Sequence, residues 1–231
     1  MSPDPVIVIQ TQHDMPAGLL AAWARARSLP LDVRRVDLGH ALPEPHNGLA
    51  ILGSDTSVND RSTPWLAELR AWTADALDAD VPVLGISFGA QLVAQLLGAD
   101  VVPAPEPEAG WVTIDSAQSW LPAGPWLSWH QDVIVAPDTL HVAAHNAHGV
   151  QAFTDGPDGE RLGVQFHPEA TTATIAAWAI RAGLTSLDDR ASLNTQTARH
   201  CADATACARA LFDRWALSAG LLGTQRVAAA A

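Results

Sequence analysis

Short apolar runs alternate with longer helical patterns over the first hundred positions of the chain. β-Branched and other apolar runs predict strands at 6–9, 31–36, 48–52 and 81–86. Stretches rich in Ala, Leu and Trp predict helices at 18–28, at 64–79 and from 88 to near Gly98. Because strands and helices alternate, we predict an α/β fold with a doubly wound, mostly parallel sheet.

The pattern changes after residue 100. Short β-like runs at 101–166 are broken by Pro, Gly, Asn and Asp, which predicts antiparallel strands and hairpins at a sheet edge or in a lid. The remaining predicted elements are a strand at 163–166, a helix at 171–182 and a helical extension at 185–222. We therefore divide the chain into a main domain, 1–184, and a C-terminal extension, 185–231, whose Ala-rich tail we expect to be disordered.

The charge of the chain narrows the classes of partner and chemistry. The formal net charge is -12, so a phosphate backbone or an anionic membrane surface would repel the protein. We expect neither nucleic acid nor a membrane as a partner. The 13 basic residues are all arginines, and the absence of lysine excludes Schiff-base chemistry and a P-loop lysine.

Cysteine and histidine patterns give no sign of a metal or a cofactor. Cys201 and Cys207 lie in a helical stretch without a metal-ligand motif, so we expect both to be reduced. His141, His145 and His148 stand in a segment that is typical of strand, turn and strand rather than of a metal-binding helix. The first ten residues lack the features of a signal peptide, and we expect a cytoplasmic protein.

The segment from Gly85 to Gly89 predicts a nucleophile elbow. It follows an apolar strand, precedes an apolar helix, and carries Ser87 between two glycines that permit a strained turn. The start of a helix behind such a serine stabilises developing negative charge. An ordinary Gly-rich turn between strand and helix is the alternative interpretation.

His167 is the candidate base for that serine, because a hydroxyl is a weak nucleophile at neutral pH. It ends an apolar strand and precedes Pro168 and Glu169, whose carboxylate can fold back and orient the imidazole. The alternative is a strand-end histidine followed by a helix-start glutamate. An α/β-hydrolase carries its acid before its histidine, so the order found here makes an esterase the weaker hypothesis.

Five segments resemble parts of class I glutamine amidotransferases, and they follow one another along the chain in the order that the family has. Residues 83–91 (VLGISFGAQ) are similar to the nucleophile motif of that family, and residues 163–169 (GVQFHPE) to its His/Glu motif. Residues 53–60 (GSDTSVND) resemble its oxyanion loop, with Ser54 and Asp55 in place of the usual glycine and proline. Further similarities lie at 108–111 and 129–132, which contain the two tryptophans in pocket-like motifs, Trp111 and Trp129.

The resemblance implies a flavodoxin-like fold and a role for each matching residue. Ser87 would stand where the family carries its nucleophilic cysteine, His167 would be the base and Glu169 its orienting acid. Backbone amides of Gly53 and Phe88 would form the oxyanion hole. Residues implied to lie near the substrate are Gln91, Trp129, His130, Gln131 and Asp132.

The family hydrolyses the side-chain amide of glutamine and passes ammonia to a synthase. We therefore expect a glutamine or γ-glutamyl substrate, a partner in the form of a separate synthase subunit, and no cofactor or metal. Serine is not a conservative replacement, because a thiol can preexist as thiolate whereas a hydroxyl stays protonated until the transition state. The hypotheses left open are a working serine amidase, a catalytically silent ligand-binding or synthase-docking module, an enzyme altered at its nucleophile, and an esterase.

Overall fold

The computed structural model describes residues 4–155, 159–183 and 186–222. The strands are β1 (Val6–Gln10), β2 (Leu31–Arg35), β3 (Leu49–Ile51), β4 (Val83–Ile86), β5 (Asp100–Val112), β6 (Asp115–Ser116), β7 (Trp126–Val135), β8 (His141–Asn146), β9 (Gly149–Thr154) and β10 (Arg161–Val164). The α-helices are α1 (Gly18–Ala26), α2 (Leu66–Asp78), α3 (Phe88–Leu96), α4 (Thr172–Arg181) and α5 (Leu187–Ser218).

The main sheet has eight strands in the order β2-β1-β3-β4-β10-β9-β8-β6. The first five are parallel, and the last three pair antiparallel. Strand β1 is buried on both faces: Val6 and Val8 belong to one apolar cluster, while Ile7 and Ile9 belong to another. Helices α1 and α5 cover the first cluster, and α2 and α3 the second, which confirms the predicted α/β fold.

The predicted strand at 163–166 is wrong in its bounds. Strand β10 runs parallel to β4 from Arg161 and ends at Val164. After that residue, the N–H of Gln165 donates to the carbonyl of Gln151 and the N–H of His167 to the carbonyl of Leu127. The chain therefore leaves the β4 ladder two residues before Phe166, and His167 lies in a turn between strand and helix.

Strands β5 and β7 form an antiparallel ribbon outside the main sheet, as the broken β-like pattern predicted. The pairing shifts register between Pro103 and Glu108. The ribbon carries two of the predicted motifs, at 108–111 and 129–132, on neighbouring strands.

Helix α5 is one continuous helix of 32 residues. It packs on α1, where the rings of Trp23 and Phe212 lie 5.6 Å apart and Arg27 forms a 2.6 Å ion pair with Asp213. Trp111 donates a hydrogen bond to Thr197 of this helix. Trp111 therefore packs on the extension, and it borders a second cavity with Leu127 and His167 rather than the cavity described below.

The predicted domain boundary at 184/185 and the Ala-rich tail at 223–231 lie outside the described residues, and the two-part division stays a prediction.

Cys201 and Cys207 are free thiols, both half-buried. Within the described ranges, none of the helices combines the length and the apolar character that crossing a membrane requires.

Candidate functional site

Ser87 occupies the turn between β4 and α3. Its backbone has φ 52° and ψ -110°, a left-handed φ that is unusual for a residue with a side chain. The Ser87 N–H donates to the carbonyl of Val164 at 2.8 Å, and its carbonyl accepts from the N–H of Gln91 at 3.0 Å. The strained residue is thus fixed on both sides, by β10 and by the first turn of α3.

Two glycines make this turn possible. A Cβ at Gly85 would lie 2.7 Å from the backbone nitrogen of Ala90, and one at Gly89 would lie 2.0 Å from the carbonyl oxygen of Ile51. Both distances are far below van der Waals contact. The Gly-Ile-Ser-Phe-Gly pattern is therefore required for α3 to pack closely on β3 and β4.

His167 and Glu169 form a buried pair directly after β10. The imidazole Nδ1 lies 2.8 Å from Glu169 Oε1, and both residues are at most 3% exposed. The ring meets Trp178 of α4 edge to face at 4.7 Å, while Nε2 lies 3.4 Å from the carbonyl oxygen of Trp129. The second carboxylate oxygen, Oε2, has no hydrogen-bond partner among the described residues.

Gly53 lies against both Ser87 and His167. A Cβ at Gly53 would be 3.0 Å from His167 Cε1 and 3.6 Å from Ser87 Cβ. Its carbonyl accepts a hydrogen bond from Thr11. In the part of the chain that is described, neither the N–H of Gly53 nor that of Phe88 donates a hydrogen bond, and none joins Ser87 to His167.

A cavity of about 360 Å³ opens beside Ser87. All five residues implied to lie near the substrate border it, namely Gln91, Trp129, His130, Gln131 and Asp132. Gln91 Nε2 donates to the carbonyl of Asp132 and to Gln165 Oε1, both at 3.2 Å, which ties α3 to β7 across the cavity wall.

Asp132 presents a carboxylate in that wall. Its Oδ2 accepts a 2.6 Å hydrogen bond from Ser57, and the residue is 9% exposed. No Arg or His within the described ranges pairs with it. A buried carboxylate without a cationic neighbour favours a ligand that brings a positive group.

A second carboxylate–imidazole pair, Glu108 and His130, borders the same cavity from the ribbon. Glu108 Oε2 lies 2.9 Å from His130 Nε2, and the imidazole Nδ1 lies 3.0 Å from the carbonyl oxygen of Asp132. Three other side chains donate to the Glu108 carboxylate, namely Ser128, Asn146 and Gln151. This network joins β5 and β7 to the β8–β9 hairpin.

Electrostatics hold Glu108 as a carboxylate. Burial opposes its charge, but the hydrogen bonds from His130 and Ser128, the charge of His130 and the Asn146 bond outweigh burial, and they lower the Glu108 pKa to about 2. Both nitrogens of His130 face acceptors, so both are placed to donate. The sequence indicated Glu108 only as part of the segment at 108–111 that resembles the family, because the side chains that bond its carboxylate are distant in the sequence.

Four polar residues at the mouth of the cavity were not predicted as site residues, and we call them the rim cluster: Gln12, Asp14, Asp55 and Arg181. Asp55 and Arg181 border the cavity. Arg181 forms ion pairs with Asp14 and, at 2.8 Å, with Asp55. Because three separate segments supply these residues, no local pattern in the sequence reveals them.

The histidines of the β8–β9 hairpin do not converge. His141 lies 3.2 Å from Gln118 Nε2, and His145 lies 3.2 Å from the carbonyl oxygen of Asp115. Over residues 4–155, 159–183 and 186–222, no group of three or more His, Cys, Asp or Glu side chains is placed to hold a metal ion.

Similarity to known proteins decides the family. The family model described as glutamine amidotransferase class-I matches residues 57–181, more than half of the chain. The chain belongs to the class-I glutamine amidotransferase family. The matched part of this amidotransferase contains Ser87, His167 and Glu169, and it begins after Gly53.

Sequence relatives agree with the assignment, and a solved structure agrees with the fold. The amidotransferase chain is 35% identical over 130 residues to GMP synthase (glutamine-hydrolyzing) of Clostridium perfringens, which covers 53% of this chain and 24% of that protein. It is 37% identical over 95 residues to a GMP synthase (glutamine-hydrolyzing) subunit of Ignicoccus hospitalis, covering 38% of this chain and 50% of the relative. A crystal structure of a glutamine amido transferase from Methylobacillus flagellatus superposes with a TM-score of 0.81, 24% identity and coverage of 94% and 96%.

The chain thus spans about a quarter of the Clostridium relative and half of the Ignicoccus relative. At 24% identity, the Methylobacillus structure shows a likeness of fold alone. It matches the mixed sheet with its flanking helices.

Proposed function

We propose that this protein hydrolyses the γ-carboxamide of glutamine or of a γ-glutamyl compound, with Ser87 as nucleophile, His167 as base and Glu169 as the acid that orients it. The observation that carries the proposal is that the carboxyl ends of β4 and β10 lie side by side, next to the cavity that Ser87 borders. Ser87 follows the first strand, His167 follows the second, and Gly53 lies against both. In an open α/β sheet, ligands bind at the carboxyl ends of the strands.

The first half of the reaction forms an ester on Ser87. His167 Nε2 accepts the hydroxyl proton while Ser87 Oγ attacks the amide carbon, and the N–H groups of Gly53 and Phe88 donate to the oxyanion. His167 then gives its proton to the amide nitrogen, so the C–N bond breaks and ammonia leaves. In the second half, His167 deprotonates a water that attacks the ester, releasing glutamate and restoring Ser87.

His167 must exchange one partner before it can act as this base. Its Nε2 faces the carbonyl of Trp129 at 3.4 Å, a long and weak contact. The Glu169 bond on Nδ1 is short and buried, so it holds the ring while Nε2 changes partner. Substrate in the cavity, next to Trp129, supplies the reason for that change.

Asp132 fits the other end of the substrate. A glutamine carries an α-ammonium group, and the buried carboxylate of Asp132 is placed to accept it, while Gln91 secures the wall. We expect the released ammonia to serve a separate synthase, since the names of the relatives describe glutamine-hydrolyzing synthases and a subunit of one.

A catalytically silent ligand-binding module is the second candidate. The observation that favours it is the missing hydrogen bond between Ser87 and His167 within the described residues. Such a protein would bind glutamine in the same cavity without cleaving it. Both candidates use the same pocket, and they differ only in turnover.

The deciding experiment compares the parent protein with Ser87→Ala and Ser87→Cys in an assay of ammonia release from L-glutamine and γ-glutamyl compounds. Turnover by the serine form that falls at least a thousandfold in Ser87→Ala supports the amidase. Turnover by Ser87→Cys alone, with glutamine binding by all three in calorimetry, supports the silent module. A panel of activated esters, run on the same variants, tests the esterase hypothesis.

A further inference from the structure

The loop after β3 departs from the family pattern at Ser54 and Asp55, and the structure shows what this chain uses there instead. Asp55 receives hydrogen bonds to its carboxylate from Gln12 Nε2 at 3.0 Å and from Arg181 at 2.8 Å. Its own N–H donates to Gln12 Oε1 at 2.9 Å. Both the side chain and the backbone of Asp55 are therefore held from outside the loop.

The same partners reach the segment that precedes α1. Gln12 Nε2 also donates to Asp14 Oδ1 at 2.8 Å, and Arg181 bonds Asp14 Oδ2 through its other terminal nitrogen. Trp178, one turn before Arg181 on α4, donates to the Asp14 carbonyl at 2.7 Å. The rim cluster thus connects the ends of β1, β3 and α4.

This connection continues to Gly53, which lies two positions before Asp55. Thr11, adjacent to Gln12, donates its hydroxyl to the Gly53 carbonyl, so the peptide of Gly53 is fixed by the same segment that fixes Asp55. Gly53 in turn lies against Ser87. A shift of the loop would therefore move the Gly53 amide relative to Ser87.

The charges of the cluster argue against a direct role in substrate binding. Arg181 is the one arginine among the described residues that border the cavity. Its two terminal nitrogens are already taken by Asp14 and Asp55. One guanidinium between two carboxylates leaves the cluster negative, so it does not attract the carboxylate of a substrate.

We infer that Arg181 and Asp55 are positioning residues that hold the loop at 53–57 so that the Gly53 amide faces the oxyanion formed on Ser87. The inference rests on the proposed function for its effect on turnover, but not for its effect on the loop. A guanidinium suits this role, because its planar fork can bridge two carboxylates that a lysine cannot span together.

The test measures loop mobility and kinetics on Arg181→Gln, Arg181→Lys and Asp55→Asn. Arg35→Gln is the matched control, since Arg35, the last residue of β2, forms a similar arginine–aspartate pair with Asp37 and lies outside the cavity lining. Hydrogen exchange of peptides covering 53–57 reports the loop directly, and glutamine turnover reports kcat and KM. We expect faster exchange and a kcat lowered about 10- to 100-fold with KM within about twofold, because a misplacement near 1 Å costs about that much.

Each alternative result has one meaning. Unchanged exchange at 53–57 in Arg181→Gln and Asp55→Asn overturns the inference. A raised KM with unchanged kcat also overturns it, by showing that Arg181 binds the substrate. If the parent protein does not turn over glutamine, the amidase proposal fails, and the exchange data alone decide whether the rim cluster holds the loop. Full activity in Arg181→Lys would contradict the bridging argument.

Discussion

Two buried carboxylate–imidazole pairs belong to the candidate site, and they are built differently. Glu108 and His130 border the cavity beside Ser87, whereas His167 lies against Gly53 and borders a second cavity. Glu169 bonds His167 through Oε1 and leaves Oε2 without a partner in the described structure, while His167 Nε2 has only a 3.4 Å neighbour. Glu108 accepts hydrogen bonds from four side chains, and both nitrogens of His130 are occupied at 3.0 Å or less. One pair has a ring nitrogen available for chemistry, and the other is saturated.

The different hydrogen bonding of the two pairs shows how a catalytic role can be distinguished from a structural role when both pairs consist of a histidine and a glutamate. A general base needs a nitrogen that can change partner during the reaction, and a loosely held Nε2 meets that need. A buried carboxylate whose oxygens both accept hydrogen bonds stabilises the fold and the wall it belongs to. The predictions below test whether the two pairs divide these tasks.

The largest expected effect comes from exchanging the histidines. His167→Asn removes the proposed base, and we expect kcat for glutamine to fall by about a thousandfold or more. His130→Asn should lower kcat far less and raise KM, because His130 holds the wall through the Asp132 carbonyl. Steady-state kinetics measure both. Equal losses of kcat in the two variants would contradict the proposal that His167 is the base and His130 only holds the wall.

Replacing the two glutamates should separate stability from turnover. Glu108→Gln leaves its donors facing a neutral amide in a buried site, and we expect the free energy of unfolding to fall by about 2 to 4 kcal/mol. Glu169→Gln should cost less stability and lower kcat by about 100-fold or more, since the imidazole loses its orienting charge. Urea unfolding and ammonia release measure the two quantities. A less stable Glu169→Gln than Glu108→Gln would contradict the comparison.

The smallest expected effect is a pH dependence. The Glu108 pKa lies at about 2 in the folded protein, against an ordinary value of 4.5. Its contribution to stability is therefore complete above about pH 4.5 and is lost as the pH falls toward 2. Urea unfolding between pH 2 and 5 should show a shallower decline in Glu108→Gln than in the parent. Parallel curves would mean that Glu108 is not held as a carboxylate.

The sequence predicted those parts of the candidate site that are local. Ser87 between two glycines, and His167 two residues before Glu169, are short patterns at the ends of strands, and the structure places both at one sheet edge. The fold followed from the alternation of strands and helices in the same way. The end of β10 was misplaced because Gln165 donates to β9 and His167 to β7 instead of continuing the pairing with β4, and the apolar pattern does not encode this change.

Long-range polar contacts explain what the sequence did not predict. Glu108 depends on Asn146 and Gln151 from another hairpin, and Asp55 depends on Arg181, 126 positions away. Trp111 packs on α5 and borders a second cavity rather than the one beside Ser87, because the extension covers that face of the ribbon. Such contacts are set by the tertiary fold, and patterns in a single sequence do not predict them.

Helix α5 also constrains the order in which the protein can fold during synthesis. Val6 and Val8 of β1 share an apolar cluster with Leu211, Phe212 and Trp215, about 200 positions later. Helix α1 can cover part of that face early, but the part that packs on α5 stays uncovered until most of the chain has left the ribosome. We therefore expect the nascent chain to depend on chaperones, since an exposed apolar strand invites aggregation before the last helix closes over it.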